Sequence, residues 1–368
     1  MANKRVVSLD IFRGITVAAM IFVNVLPLTP YTPALLAHSV WIGLTFVDLV
    51  FPFFLFIVGV SMAYSFKHRA NQSKIHLWGH FLFRVAALFV IGLFLNWIGG
   101  GLPLRIPGVL QLIALASLFA APLARTKIQW IILAAAVLLV IQSFILLFAG
   151  APGVTPGNFQ IEGNIAGWVD TQVFGAQHLF QPQLHPDFDP EGIVAIITAT
   201  AMVLLGLIFG RTLQSKGGNG DTVKLFLISG IGLISFGILI SPWIPIIKQL
   251  WTASFVLVTA GLATTIFTLL YIYIDIQDRK KSFFKSAVPM GTNPLVLYVL
   301  SAVVATFTVK FTFMSTSNDP ISLYQMLYQP LMDSFTPNIG SIIYATVVVL
   351  FWGLVALFMY RRKIFIKL

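Results

Sequence analysis

Apolar residues run along this chain in blocks of about twenty, the length that a bilayer core demands of a helix. They do not follow the three-to-four-residue rhythm of a helix lying on a water-soluble core. The blocks lie near 9–26, 44–66, 77–97, 106–124, 128–149, 190–210, 223–242, 250–274, 291–312 and 339–360, broken at proline, glycine and clusters of charge. This pattern predicts an all-α, polytopic transmembrane helical bundle of about ten spans. It reads as a single transmembrane domain over residues 1–368.

Composition sharpens that reading. The chain is 58% hydrophobic and only 10% charged, against roughly 25% charged in a soluble domain, and its mean hydropathy is +0.92. A water-facing surface of this size cannot be coated with so few charges. The formal charge of +11 raises the possibility of a nucleic-acid partner, but its distribution argues against one. Of the 23 Lys and Arg residues, all but Arg105, Lys248 and Lys310 fall on one side of the alternating loops. Positive loops stay cytoplasmic, so both termini are expected in the cytoplasm and the protein in a cell inner membrane. Cysteine is absent, which excludes disulfides and a catalytic thiolate. The segment MANKRVVSLDIFRG leads into the first span without a small-residue cleavage site and is expected to be retained.

The longest outer loop, 150–189, has no Lys or Arg but carries Glu162, Asp170, Asp187, Asp189, His178 and His185. A loop of this length is either functional, as a lid, or an ordered cap, and both readings stay open. Residues 314–338 form a second outer loop. His178 and His185 lack metal-ligand spacing, so no metal is expected. No internal repeat marks transporter halves.

Ionisable and amide groups in hydrocarbon are costly and usually face a cavity or a partner. In the first span Arg13, Val17, Met20 and Asn24 advance by four, three and four and share a helical face. Asn24 therefore lies about 16 Å above Arg13. Asp10 and Arg13 can equally be a helix-end ion pair. The outer ends of later spans add His38, Asp48, Arg105 and Gln111 at a similar depth, with Trp41 and Trp251 at the same interface. A histidine can take and return a proton near neutral pH. A neighbouring carboxylate such as Asp48 can orient its ring.

The run SLDIFRGITVAAMIFVN, followed by HSVWIGLTFVDLVFPFFLFIVG, resembles the start of the heparan-α-glucosaminide N-acetyltransferase family. The strings LRIPGVLQ at 104–111, FDPEGIVAIITA at 188–199 and MGTNPLVLYV at 290–299 extend the resemblance in order over most of the chain. In form the chain resembles the compact bacterial members. The resemblance implies transfer of acetyl from cytoplasmic acetyl-CoA to the amine of a glucosamine-type sugar across the membrane, by a homodimer. It places the active-site histidine at His38 and the first-span asparagine at Asn24. Asp48 would polarise His38, which acts as a general base or as an acetylated nucleophile, while Asn24 faces the oxyanion. Arg13, Arg84, Lys285 and Asn293 would hold the CoA phosphates and adenine. Arg105, Gln111, Trp41 and Trp251 would position the sugar, or Arg105 and Gln111 would brace Asp48. An amino-sugar transporter, an O-acetyltransferase of an envelope glycan and a purely structural bundle are the alternatives.

Overall fold

The computed structural model describes residues 6–26, 32–69, 72–180, 188–277, 283–314 and 320–366. His185 and Asp187 of the long loop, and the basic residues Lys4, Arg5, Arg279, Lys280, Lys281 and Lys367, lie outside the described residues. In chain order the helices are α1 (Val7–Val25), α2 (Val50–His68), α3 (Lys74–Gly100), α4 (Val109–Ala120), α5 (Ile128–Phe148), α6 (Ile165–Phe174) and α7 (Ile193–Lys216). They continue as α8 (Gly220–Ile240), α9 (Ala253–Tyr271), α10 (Val288–Thr292), α11 (Pro294–Lys310), α12 (Leu323–Ser334) and α13 (Pro337–Arg361). Strands β1 (Thr312–Met314) and β2 (Pro320–Ser322) form an antiparallel hairpin pairing Thr312 with Ser322.

Among the described residues eight helical stretches are long and apolar enough to cross a membrane. A ninth is the pair Phe283–Thr292 and Pro294–Lys310, bent by 80°. The stretch Val109–Arg125 is apolar but shorter. Together these are the ten apolar blocks read from the sequence, and the chain is a multi-pass helical membrane protein. Two smaller helices sit where the sequence shows loops. In α6 the Asn164 side chain caps the Gly167 amide at 2.8 Å. In α12, Ser322 and Gln325 form a reciprocal capping box, a pattern readable as S-x-x-Q.

Backbone contacts divide the chain into two compact units. The first comprises Met1–His38, Thr45–Val50 and Tyr273–Lys367. Helix α1 is its centre, packed by α10, α11 and α13. A Cβ on Gly14 would strike the Ala287 carbonyl, and one on Gly291 the Asp10 carbonyl. The two backbones therefore meet directly, as small residues allow within a membrane. The first amides of α1, on Val7 and Ser8, both donate to the Asp275 carboxylate at 3.0 Å, which caps the helix from a distant segment. At the α10–α11 break, the Asn293 side chain donates to the Ile364 carbonyl and accepts from the Ile366 amide, each at 2.9 Å.

The second unit comprises Ser39–Leu44 and Phe51–Ile272. Helix α7 is its most buried span, and Gly59 and Gly206 let α2 and α7 approach backbone to backbone. Gly230 and Gly261 do the same for α8 and α9. Helices α3, α5 and α8 turn apolar side chains such as Phe83, Val140 and Ile231 outward, the surface expected against lipid.

Candidate active site

In the first unit, the segment Thr45-Phe46-Val47-Asp48 opens the helix that becomes α2. Thr45 donates to the Asp48 Oδ2 atom through its amide at 3.0 Å and its hydroxyl at 2.9 Å. The Asp48 amide returns a bond to the Thr45 carbonyl at 3.2 Å. This is the reciprocal logic of a helix-opening box, and a carboxylate there is favoured by the helix dipole. The other oxygen, Oδ1, meets His38 Nδ1 at 2.7 Å. Asp48 is fully buried, whereas the His38 side chain is 49% exposed.

The geometry sets the tautomer. A carboxylate only accepts, so Nδ1 carries the proton and the lone pair lies on Nε2. The sequence brought out His38 and Asp48. The role of Thr45 was missed, although T-x-x-D before an apolar run is a readable signal.

His38 and Asn24 line one cavity of about 1120 Å³ within this unit. Its walls come from the last turn of α1, the second half of α11, α12 and the middle of α13. Three tyrosines form part of it: the rings of Tyr324 and Tyr328 lie 4.7 Å apart, and those of Tyr324 and Tyr344 5.5 Å. Burial pushes the Tyr324 hydroxyl above its ordinary pKa, and its tyrosine neighbours add to this. None of these tyrosines was singled out in the sequence, because isolated tyrosines in apolar segments carry no spacing signal.

At the other end of α1, Arg13 reaches Asp10 at 3.4 Å and the Gly291 carbonyl at 3.2 Å. Lys285 is half-buried in the turn Phe283–Ala287, which packs on the same helix. Asn293 is buried, and its amide ties down the C-terminal segment. Between the polar ends of α1, Val17 and Met20 are buried, so that face is packed along its middle. Arg84 lies half-buried on α3 of the second unit.

The second unit holds the remaining candidates. Arg105 is gripped bidentately by Asp189, Nε to Oδ2 at 2.9 Å and Nη2 to Oδ1 at 2.7 Å. Glu191 takes a further bond from Nη2, and the Phe180 ring lies 4.7 Å beneath the guanidinium. Burial opposes the Arg105 charge, but Glu191 and Asp189 outweigh it and raise its pKa. Burial in turn raises Glu191. The loop carrying Arg105 is held by Asn96, which donates to the Arg105 and Pro107 carbonyls at 2.8 Å. Gln111 donates to the Ile106 carbonyl at 3.1 Å and sits in the space left by Gly92. Asp170 receives the Ile193 amide at the start of α7 at 2.8 Å, and burial pushes its pKa up to about 8. Trp41 is packed edge-on to Phe188 and donates to the Phe159 carbonyl. Trp251 is 1% exposed, has a φ of 50°, and is wedged between Phe51 and Phe255. Both tryptophans are thus core side chains of this unit.

Comparison with known proteins agrees with the motifs. The family described as heparan-alpha-glucosaminide N-acetyltransferase, catalytic, matches residues 5–228. The human heparan-alpha-glucosaminide N-acetyltransferase is 30% identical over 99% of this chain and 60% of its own length. The mouse protein of that name is 28% identical over 99% of this chain and 61% of its own length. The chain therefore spans about three-fifths of the relatives it matches. With the family match covering more than half of its residues, the chain belongs to the heparan-alpha-glucosaminide N-acetyltransferase catalytic family.

Proposed function

We propose that the chain is a membrane acetyltransferase that moves acetyl from acetyl-CoA to the amine of a glucosamine-type sugar on the opposite face. The observation that carries this reading is the His38–Asp48 pair at 2.7 Å, with His38 and Asn24 on one cavity. His38 Nε2 takes a proton from the amine as its nitrogen attacks the thioester carbonyl. The carbon–sulfur bond breaks, the amide forms, and the CoA thiolate takes up the proton. In the alternative chemistry Nε2 attacks the thioester first and is acetylated as the CoA thiolate leaves; the amine then displaces the imidazole, and its proton passes to the thiolate. Asn24 donates to the developing oxyanion. Asp48 holds the ring through Nδ1.

Arg13 and Lys285 of the first unit are the cations proposed for the CoA phosphates, on the side of the basic loops; the buried Asn293 shapes the start of α11 beside them. Both termini then face the cytoplasm of a cell inner membrane, and the chain works as a homodimer. Arg105 and Gln111 are read as shaping the outer surface of the second unit, on the sugar's side of the membrane.

Proteoliposomes loaded with acetyl-CoA and offered glucosamine outside test this. Acetylglucosamine should appear outside, and His38→Ala should lower its rate by about 10²-fold or more. Product formation at an equal rate with His38→Ala would overturn the mechanism. Acetyl label retained on His38 after acetyl-CoA alone would select the two-step route.

A further inference from the structure

The cavity that holds His38 and Asn24 is built unlike a pocket for a free sugar. No Asp, Glu, Lys or Arg is among its described lining residues. A hexosamine carries hydroxyls on every side and an ammonium group, and each of these needs a partner when it leaves water. Its polar lining residues are Asn24, Thr32, His38 and the tyrosine cluster, together with Ser301 and Thr308, whose hydroxyls donate to carbonyls of their own helix. Most of the remaining lining is apolar, including Val304, Val309, Val347, Val348 and Phe351.

The cavity is also open on one side. Helices α11 and α13 both pack along α1 but barely meet each other, which leaves a slot between them with α1 as its floor and α12 at one end. Its rim residues Val304, Val347 and Phe351 are 44%, 56% and 55% exposed. They lie on helices that cross the membrane, so the slot opens into hydrocarbon rather than water. At about 1120 Å³ it exceeds the roughly 300–1,000 Å³ of most small-molecule sites.

We infer that the acceptor of this chain is an amphiphile: an amino sugar joined to a long apolar chain, which enters sideways from the membrane between α11 and α13. The sugar's amine reaches His38 Nε2 at the polar end, and the apolar chain lies along Val304, Val347 and Phe351. This inference rests on the acetyl transfer proposed above and names its acceptor class. An acyl or prenyl chain supplies the favourable burial that a bare hexosamine lacks.

The test compares glucosamine with dodecyl glucosaminide as acceptors for the full chain in nanodiscs with acetyl-CoA. The kcat/KM for the dodecyl acceptor should be higher by about ten-fold or more, given the methylenes it buries. Val304→Trp and Val347→Trp, which plug the slot, should bring the ratio of the two values back toward one. A readout without catalysis comes from the absence of native cysteine. Val304→Cys should react with a membrane-soluble maleimide, and dodecyl glucosaminide, but not glucosamine, should slow that reaction. Equal kcat/KM values with glucosamine still acetylated would overturn the inference and leave acetyl transfer standing. Acetylation of neither acceptor would overturn both. Disulfide linkage of two Val304→Cys chains in place of labelling would show a second copy covering the slot, and would overturn it too.

Discussion

At the scale of single residues, Asp48 has two jobs that come from its two oxygens. One closes the turn with Thr45 and the other fixes the proton on His38 Nδ1. Asp48→Asn keeps the shape but offers an amide donor, which turns the imidazole lone pair toward Nδ1. We expect acetyl transfer to fall by about 10²-fold or more, with thermal stability of the purified protein little changed. Asp170 governs pH dependence instead. Its folded pKa of about 8 lies above the unfolded value of about 4. Between those values the folded chain holds a proton that the unfolded chain releases, so stability falls as pH rises through that window. Unfolding temperatures measured from pH 6 to 8.5 should decline, and Asp170→Asn, which can still accept the Ile193 amide, should make the decline shallower.

At the scale of elements, the crossing of α1 and α10 depends on two glycines whose neighbours are backbone atoms. A methyl group at Gly14 or Gly291 has no flexible side chain to push aside. Gly14→Ala and Gly291→Ala should each destabilise the fold by about 1–3 kcal/mol through overpacking. A lower unfolding temperature in detergent would register this. Gly79→Ala, on α3 with nothing near its Cβ position, should leave stability unchanged or raise it through better helix propensity. The Asp275 cap and the Asn293 tie act at the same level, since each joins helix termini far apart in sequence.

At the scale of the whole molecule, the asymmetry of basic residues predicts sidedness. With no cysteine in the chain, Glu162→Cys and Lys216→Cys report it directly, because both positions are exposed. In intact cells an impermeant maleimide should label Glu162→Cys at once, and Lys216→Cys only after lysis. The reverse pattern would invert the proposed direction of acetyl transfer.

The placement of the apolar helices was legible in the sequence, because crossing hydrocarbon is a local demand: about twenty apolar residues and little charge; of the ten blocks expected, eight or nine form helical stretches long enough to span and Val109–Arg125 is shorter. The nearness of His38 to Asp48 was legible too, since they are ten positions apart and the second lies at a helix start. What surrounds them was not. Arg105 finds its partners 84 and 86 residues away, and the α1 amides find Asp275 across 268 and 267 residues. Trp41 and Trp251 sit at the interface by hydropathy, yet packing buries both. The slot between α11 and α13 exists only because both helices lean on α1 rather than on each other. Hydropathy is a property of one segment at a time, whereas side-chain partners and cavities belong to pairs of segments. Among helices that are apolar all round, no periodicity announces which faces will meet, so only the tertiary structure decides them.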